Sequence, residues 1–116
     1  IRSVYDGRYR YIVNLTPEAT FQNVETKSPL FKEWKRLAET DSHAKAMTTK
    51  YQHRPAIELY DVKNDPYCMK NLAEDAKQAS TISRLDKELK RWMKDCGDEG
   101  QPTEMRAFEH MPGKRK

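Results

Sequence analysis

The sequence predicts an α+β fold. A small antiparallel β-sheet, built from a hairpin over residues 1–14 and a strand at about 56–62, packs against a long C-terminal amphipathic helix at about 76–96. One or two further helices fall at about 28–51. Three observations carry this reading. Asp6-Gly7 lies between two runs rich in Tyr, Ile and Val, the strongest short-range hairpin signal. Ala56-Ile57-Glu58-Leu59-Tyr60-Asp61-Val62 alternates as a strand does. Ile82, Leu85, Leu89, Trp92, Met93 and Cys96 form one apolar stripe at helical spacing.

Taken in order, residues 1–5 and 8–14 form the hairpin, and Asp6-Gly7 is expected as a type I′ turn, in which both central residues take positive φ. Tyr9, Tyr11, Val13 and Leu15 share one face by the period of two, and Arg8, Arg10, Ile12 and Asn14 the other. Residues 15–27 read as loop. Ser28-Pro29 reads as an N-cap followed by the first helical position, where proline forfeits no hydrogen bond. Leu30, Phe31, Trp34, Leu37 and Ala38 form the apolar side of that helix, and Lys32, Glu33, Lys35, Arg36 and Glu39 its wet side. A second short helix, or a continuation, runs from about Asp41 to Tyr51. Arg54-Pro55 ends it, because proline pushes its predecessor toward extended geometry.

Lys63-Asn64-Asp65-Pro66 is a turn cluster. Asp75 is placed to cap the long helix, with Gln78 completing a capping box. Arg84–Glu88 and Asp86–Lys90 are opposite charges four residues apart. Gly97 stops the helix. Residues 98–116 read mostly as loop, ending in the basic tail Gly113-Lys114-Arg115-Lys116.

The chain has 116 residues, which suits a single domain. It has 34% charged and 36% hydrophobic residues, a formal net charge of +4 and a mean hydropathy of −1.05. No apolar run approaches the roughly 18 residues of a membrane span. Two cysteines are too few for a disulfide-dense scaffold. Leu, Ile, Val and Phe together number only 18, so the core is thin and is expected to be completed by contact with something larger. The first residue, Ile1, already lies in a predicted strand, which suggests a piece starting inside a longer protein. The cations are interspersed with acidic residues rather than gathered in a stripe, so no nucleic-acid partner is expected. Arg8-Tyr9-Arg10-Tyr11 reads as sheet rather than as a base-stacking platform.

The motifs of reactive centres are missing. No G-x-S-x-G, P-loop, G-x-G-x-x-G or H-E-x-x-H occurs. His43, His53 and His110 lack ligand spacing and read as surface or loop histidines. Cys68 and Cys96 match no zinc pattern. Cys96 continues the helical stripe and reads as a small buried apolar residue, while a Cys68–Cys96 disulfide stays open for an exported parent. No catalytic residue and no metal ligand is assigned.

One stretch carries a resemblance. Arg54-Pro55-Ala56-Ile57-Glu58-Leu59-Tyr60-Asp61-Val62-Lys63-Asn64-Asp65-Pro66-Tyr67, continued by Asn71-Leu72-Ala73, resembles the R-P-x-x-E-L-Y-D-x-x-x-D-P-x-E-x-x-N-L-A signature near the C-terminus of sulfatases. The heparan N-sulfatase (sulfamidase)-like branch is the nearest in pattern. The hairpin segment Arg2 to Ile12 and Leu89-Lys90-Arg91-Trp92-Met93 resemble the same family more weakly. Cys68-Met69 departs from it, since an acidic residue often stands there. Read without the family, Glu58 and Tyr60 share one strand face, Asp65-Pro66 fixes a turn, and Asn71 can satisfy backbone groups, all scaffolding roles.

The resemblance implies a C-terminal subdomain that shapes the substrate cleft of a sulfatase acting on sulfated carbohydrate, such as a glycosaminoglycan. Its partner would be the N-terminal catalytic domain of the same parent chain. Formylglycine, made from the cysteine or serine of C/S-x-P-x-R, and calcium are implied for that domain and not for this segment, which is expected to be inactive alone. The resemblance also implies a parent that is exported, periplasmic or extracellular, or lysosomal. By loop position, candidate substrate-binding residues are Arg54, Asp98 and Thr103, within the stretches His53-Arg54 and Asp98 to Glu104. The alternative is a free-standing module that binds a partner protein through its aromatic face.

Overall fold

A computed structural model describes residues 1–110. The basic tail at 113–116 lies outside the described residues. The chain folds as two compact units, one of Ile1–Thr16 with the chain from Ala56 onward, the other of Pro17–Pro55 inserted between them. The first unit contains the predicted α+β arrangement. Strands β1 (Arg2–Tyr5), β2 (Tyr9–Val13) and β3 (Ile57–Asp61) form an antiparallel sheet in the order β1-β2-β3. Val4 faces Tyr11 and Tyr11 faces Leu59, which puts these three on one side of the sheet.

That side carries the core. Helix α3 (Ala79–Asp95) lays Leu85 and Leu89 against Tyr11 and Leu59, and Val4, Tyr9, Val13, Leu72, Ile82 and Met93 pack around them. Fully buried leucines of this kind hold the unit together, each worth roughly 2–5 kcal/mol against alanine. The predicted stripe therefore supplies the core, with two exceptions. Trp92 is half exposed, and Cys96 is exposed because it is the C-cap residue, where the helix leaves the sheet. Cys68 and Cys96 form no disulfide.

Local chemistry shifts several expected details. The hairpin forms, but its turn is not type I′. Gly7 takes positive φ while Asp6 does not, because the Asp6 carboxylate accepts from the backbone N–H of Arg8 at 3.0 Å and of Tyr9 at 2.7 Å. Asp75 caps a single 3₁₀ turn, Ala76–Gln78, through the Lys77 N–H, and α3 starts only at Ala79 with no capping box. Asp86 and Lys90 do pair, at 2.6 Å. Arg84 instead reaches Asp6, and Glu88 pairs with Arg91. The stretch expected as loop after Gly97 holds helix α4 (Gln101–Met105) and a 3₁₀ turn, Ala107–His110. Pro102 suits the first turn of α4, and Gly100 supplies the positive φ needed to enter it.

The second unit contains two separate helices, α1 (Pro29–Leu37) and α2 (Ser42–Gln52). Ser28 caps α1 through the Phe31 N–H, as the sequence predicts, and Asp41 caps α2 through the Ala44 N–H. Extended backbone at Asp41 breaks the continuity between them. The apolar side of α1 is not buried as expected. Only Phe31 is, packed on Tyr51 and Trp34, while Leu30, Trp34 and Leu37 stay about half exposed or more.

Candidate functional site

The sulfatase-like signature folds into a closed sheet edge. Backbone groups of Ile57, Leu59 and Asp61 point away from β2, and the following loop returns to meet them. The Asn71 side chain accepts from the Leu59 N–H at 2.9 Å and donates to the Ile57 carbonyl at 3.3 Å. The Leu72 N–H donates to the Leu59 carbonyl at 2.8 Å. The N–H groups of Asn64 and Asp65 both donate to the Asp61 carbonyl. An edge that would otherwise recruit another strand is covered by the chain's own side chain and loop.

On the sheet face away from α3, Glu58 and Tyr60 are buried together. Tyr60 donates its hydroxyl to Glu58 Oε1 at 2.6 Å, and Asn14 Nδ2 donates to Oε2 at 2.8 Å. Burial first, and the Glu58 hydrogen bond second, raise the Tyr60 phenol far above its ordinary range. It is a fixed donor, not a base.

The predicted site residues occupy two places. Asp98 and Thr103 lie together in the first unit. Arg2 brackets this stretch, its guanidinium engaging Asp98 through Nε and Glu104 through Nη1 at 2.8 Å. Asp98 also accepts from the Gly100 N–H, and Thr103 Oγ1 accepts from the Glu99 N–H at 2.9 Å. Arg2 is the main cause that holds both the Asp98 and Glu104 carboxyls below their ordinary values. Asp98 and Thr103 thus build the loop. Arg54 lies in the second unit, its guanidinium 4.0 Å from the centre of the Phe21 ring, a cation–π stack.

Sequence reasoning missed a cleft of about 450 Å³ over the start of α3. Ile57, Ala76 and Ile82 give it apolar walls, and Ser83, Asp86 and Lys90 a polar rim. Tyr11, at its base, donates its hydroxyl to Asp86 at 3.0 Å. Burial, then Asp86, push the Tyr11 phenol up to about 12, so it stays protonated. The Asp86–Lys90 spacing was the visible half of this cluster, whereas Tyr11 read only as core. The cleft offers hydrogen bonds and apolar contact, not a nucleophile paired with a base.

Among the described residues no group of three His, Cys, Asp or Glu is arranged to hold a metal ion. Asp98 and Glu104 are both engaged by Arg2, so they do not fit calcium. Neither Cys68 nor Cys96 is followed by proline at the second position and arginine at the fourth, as formylglycine formation would need. No described helix is long and apolar enough to cross a membrane.

No family model matches the chain. Two curated relatives, each named "Ulvan-active sulfatase" and both from Formosa agariphila, do. One is 34% identical over 108 residues, covering 90% of this chain and 18% of the relative. The other is 33% identical over 98 residues, covering 84% of this chain and 18% of the relative. The chain therefore spans less than a fifth of the length of these relatives, and it is similar to a segment of a sulfatase.

Proposed function

We propose that this chain is the C-terminal, non-catalytic subdomain of a sulfatase that hydrolyses sulfate from carbohydrate. The observation that carries the reading is the similarity of nearly the whole chain to one short segment of much longer sulfatases. The fold supports it, since the signature residues Glu58, Tyr60, Asp61 and Asn71 all hold backbone or bury polar atoms. Formylglycine and calcium belong to the catalytic domain, the implied partner of this segment.

Within this reading the chain shapes the substrate cleft. Arg54 contacts the anionic saccharide, and Asp98 and Thr103 set the loop that flanks it. The signature is nearest in pattern to the sulfamidase-like branch, and the relatives carry the name ulvan-active sulfatase.

The test is sulfate release by the full-length protein from ulvan and from N-sulfoglucosamine, beside the 116-residue chain alone. The full-length protein is expected to release sulfate from one of them and the short chain from neither. Release by the short chain, or none by the full-length protein, overturns the reading. An open reading frame with no upstream C/S-x-P-x-R would favour the free-standing binding module, for which the exposed Leu30, Trp34 and Leu37 would serve as contact side chains.

A further inference from the structure

The aromatic side chains of the second unit form a continuous row. Phe21 meets Tyr51 edge-on at 5.8 Å between ring centres. Tyr51 lies 5.5 Å from Phe31, and Phe31 lies 6.4 Å from Trp34. One end of the row already holds a cation, the Arg54 guanidinium over the Phe21 ring. The other end is hollow. Phe31, Tyr51 and Trp34 line a space of about 170 Å³, completed by Glu25, Ser28 and Leu30.

The three rings are set by the local fold. Ser28 caps α1 through the Phe31 N–H, which fixes the buried Phe31 at the first turn. Asn23 donates to the Tyr51 hydroxyl at 3.0 Å and steadies that ring. Trp34 follows Phe31 by three residues on α1, is half exposed, and forms the outer wall.

Charge and size select the ligand. Glu25 is the one charged residue of the lining, and among the described residues it joins no ion pair. A sulfated saccharide therefore finds no cation here. The space is also smaller than the roughly 300–1,000 Å³ of sites that enclose a drug-sized molecule, so it suits a head group. A primary ammonium is strongly hydrated and would leave N–H groups to satisfy against ring faces. A quaternary ammonium has no N–H, and aromatic faces attract its charge.

We propose that this hollow binds a quaternary ammonium head group, held by the Trp34, Tyr51 and Phe31 rings with the Glu25 carboxylate at the rim. A betaine would bring its own carboxylate toward Glu25, so the ligand is of the choline type, with a neutral tail. The proposal does not rest on the sulfatase reading, and sulfate release takes no part in its test.

Saturation-transfer NMR on the full-length protein, with choline as the probe, tests this. The choline methyl protons are expected to receive saturation, and those of its neutral carbon isostere, in which carbon replaces the nitrogen, are not. Trp34→Ala is expected to weaken choline binding about tenfold, the loss of one desolvated cation–π contact. Glu25→Lys, a change at an exposed position that leaves the aromatic row intact, is expected to weaken it by a similar factor and keeps the test open if the tryptophan variant does not fold. No saturation of choline overturns the proposal. So does equal saturation of choline and the isostere, which would make the hollow merely apolar. Choline binding that survives both substitutions places the site elsewhere and overturns it as well.

Discussion

Tyr60 and Glu58 lock to each other two residues apart on one face of β3, with a 2.6 Å hydrogen bond from phenol to carboxylate. Asn14 occupies the other carboxylate oxygen. A carboxylate at this depth is tolerated because both oxygens accept hydrogen bonds. Tyr60→Phe leaves Glu58 Oε1 without this donor. It is expected to lower unfolding stability by about 1–3 kcal/mol in a urea titration. Arg36→Ala, which breaks the exposed pair with Glu33, serves as the control and should cost well under 1 kcal/mol. Equal losses in the two variants would contradict a structural role for the Tyr60 hydroxyl.

Asn71 acts on three backbone groups at once, those of Leu59, Ile57 and Ala73. Asn71→Ala is expected to cost about 1–3 kcal/mol and to expose the β3 edge. Asn71→Asp keeps the acceptor for the Leu59 and Ala73 N–H groups and loses only the donor to Ile57, so its cost should be smaller. Exchange at the Leu59 amide separates them, fast in the alanine variant and slower in the aspartate one. Protection at Leu59 that survives Asn71→Ala would remove the assigned role.

Stability should depend on pH at both ends of the scale. Arg84, then the backbone N–H groups of Tyr9 and Arg8, lower Asp6 from 3.8 to about 2. Arg8, then Asn64, do the same for Asp61. A carboxylate whose folded value lies below its unfolded one stabilises the fold fully above the unfolded value, and that contribution disappears as pH falls through the folded value. Thermal melts should therefore be insensitive to these groups near neutrality and decline between about pH 4 and pH 2. Asp6→Asn keeps an oxygen for the turn but loses the charge, and should flatten part of that decline. At the alkaline end the sign reverses. Tyr11 rises from 10.0 to about 12, so its contribution is complete below 10 and is lost as pH climbs toward 12. Tyr11→Phe should remove its own part of that alkaline slope, leaving the part that the raised Tyr60 phenol supplies. A slope unchanged in both variants would assign the pH dependence to other groups.

Arg2 pairs with both Asp98 and Glu104. Arg2→Met keeps much of the aliphatic stem and deletes the charge. The Asp98 and Glu104 carboxyls are then expected to titrate at higher pH, read by carboxyl NMR, while Asp98 keeps the Gly100 N–H and Glu104 the Ile1 amino group. Unchanged titration of both would mean that Arg2 does not organise this loop.

Much of this architecture was legible because short-range chemistry and long-range packing agree. The period of two around Tyr11 and Leu59 and the stripe through Leu85 and Leu89 point to the same core. Ser28 and Asp41 declare helix starts with their own side chains. What failed depended on partners distant in sequence. Arg84 leaves its neighbour Glu88 for Asp6, which no helical spacing can announce. Asp98 is held by Arg2, 96 positions away, a pairing that its loop position does not announce. The stripe of Leu30, Trp34 and Leu37 is exposed although it is apolar, because periodicity reports amphipathicity and not what covers it. Tyr11 was identified as core, but its hydroxyl extends to Asp86 at the cleft, an amphipathic use invisible to a hydrophobic count.

The backbone N–H of Asn14 donates to the carbonyl of Ala56 at 2.9 Å, so the two points at which the chain departs for residues 17–55 and returns from them are neighbours. Those residues form a cassette spliced into what is otherwise a simple three-stranded meander. A tight reverse turn grafted between Leu15 and Ala56 would join β2 to β3 in the same register. Excision would yield a miniature scaffold, and exchange of the cassette for another would alter the molecule's outer decoration without retuning its ladder.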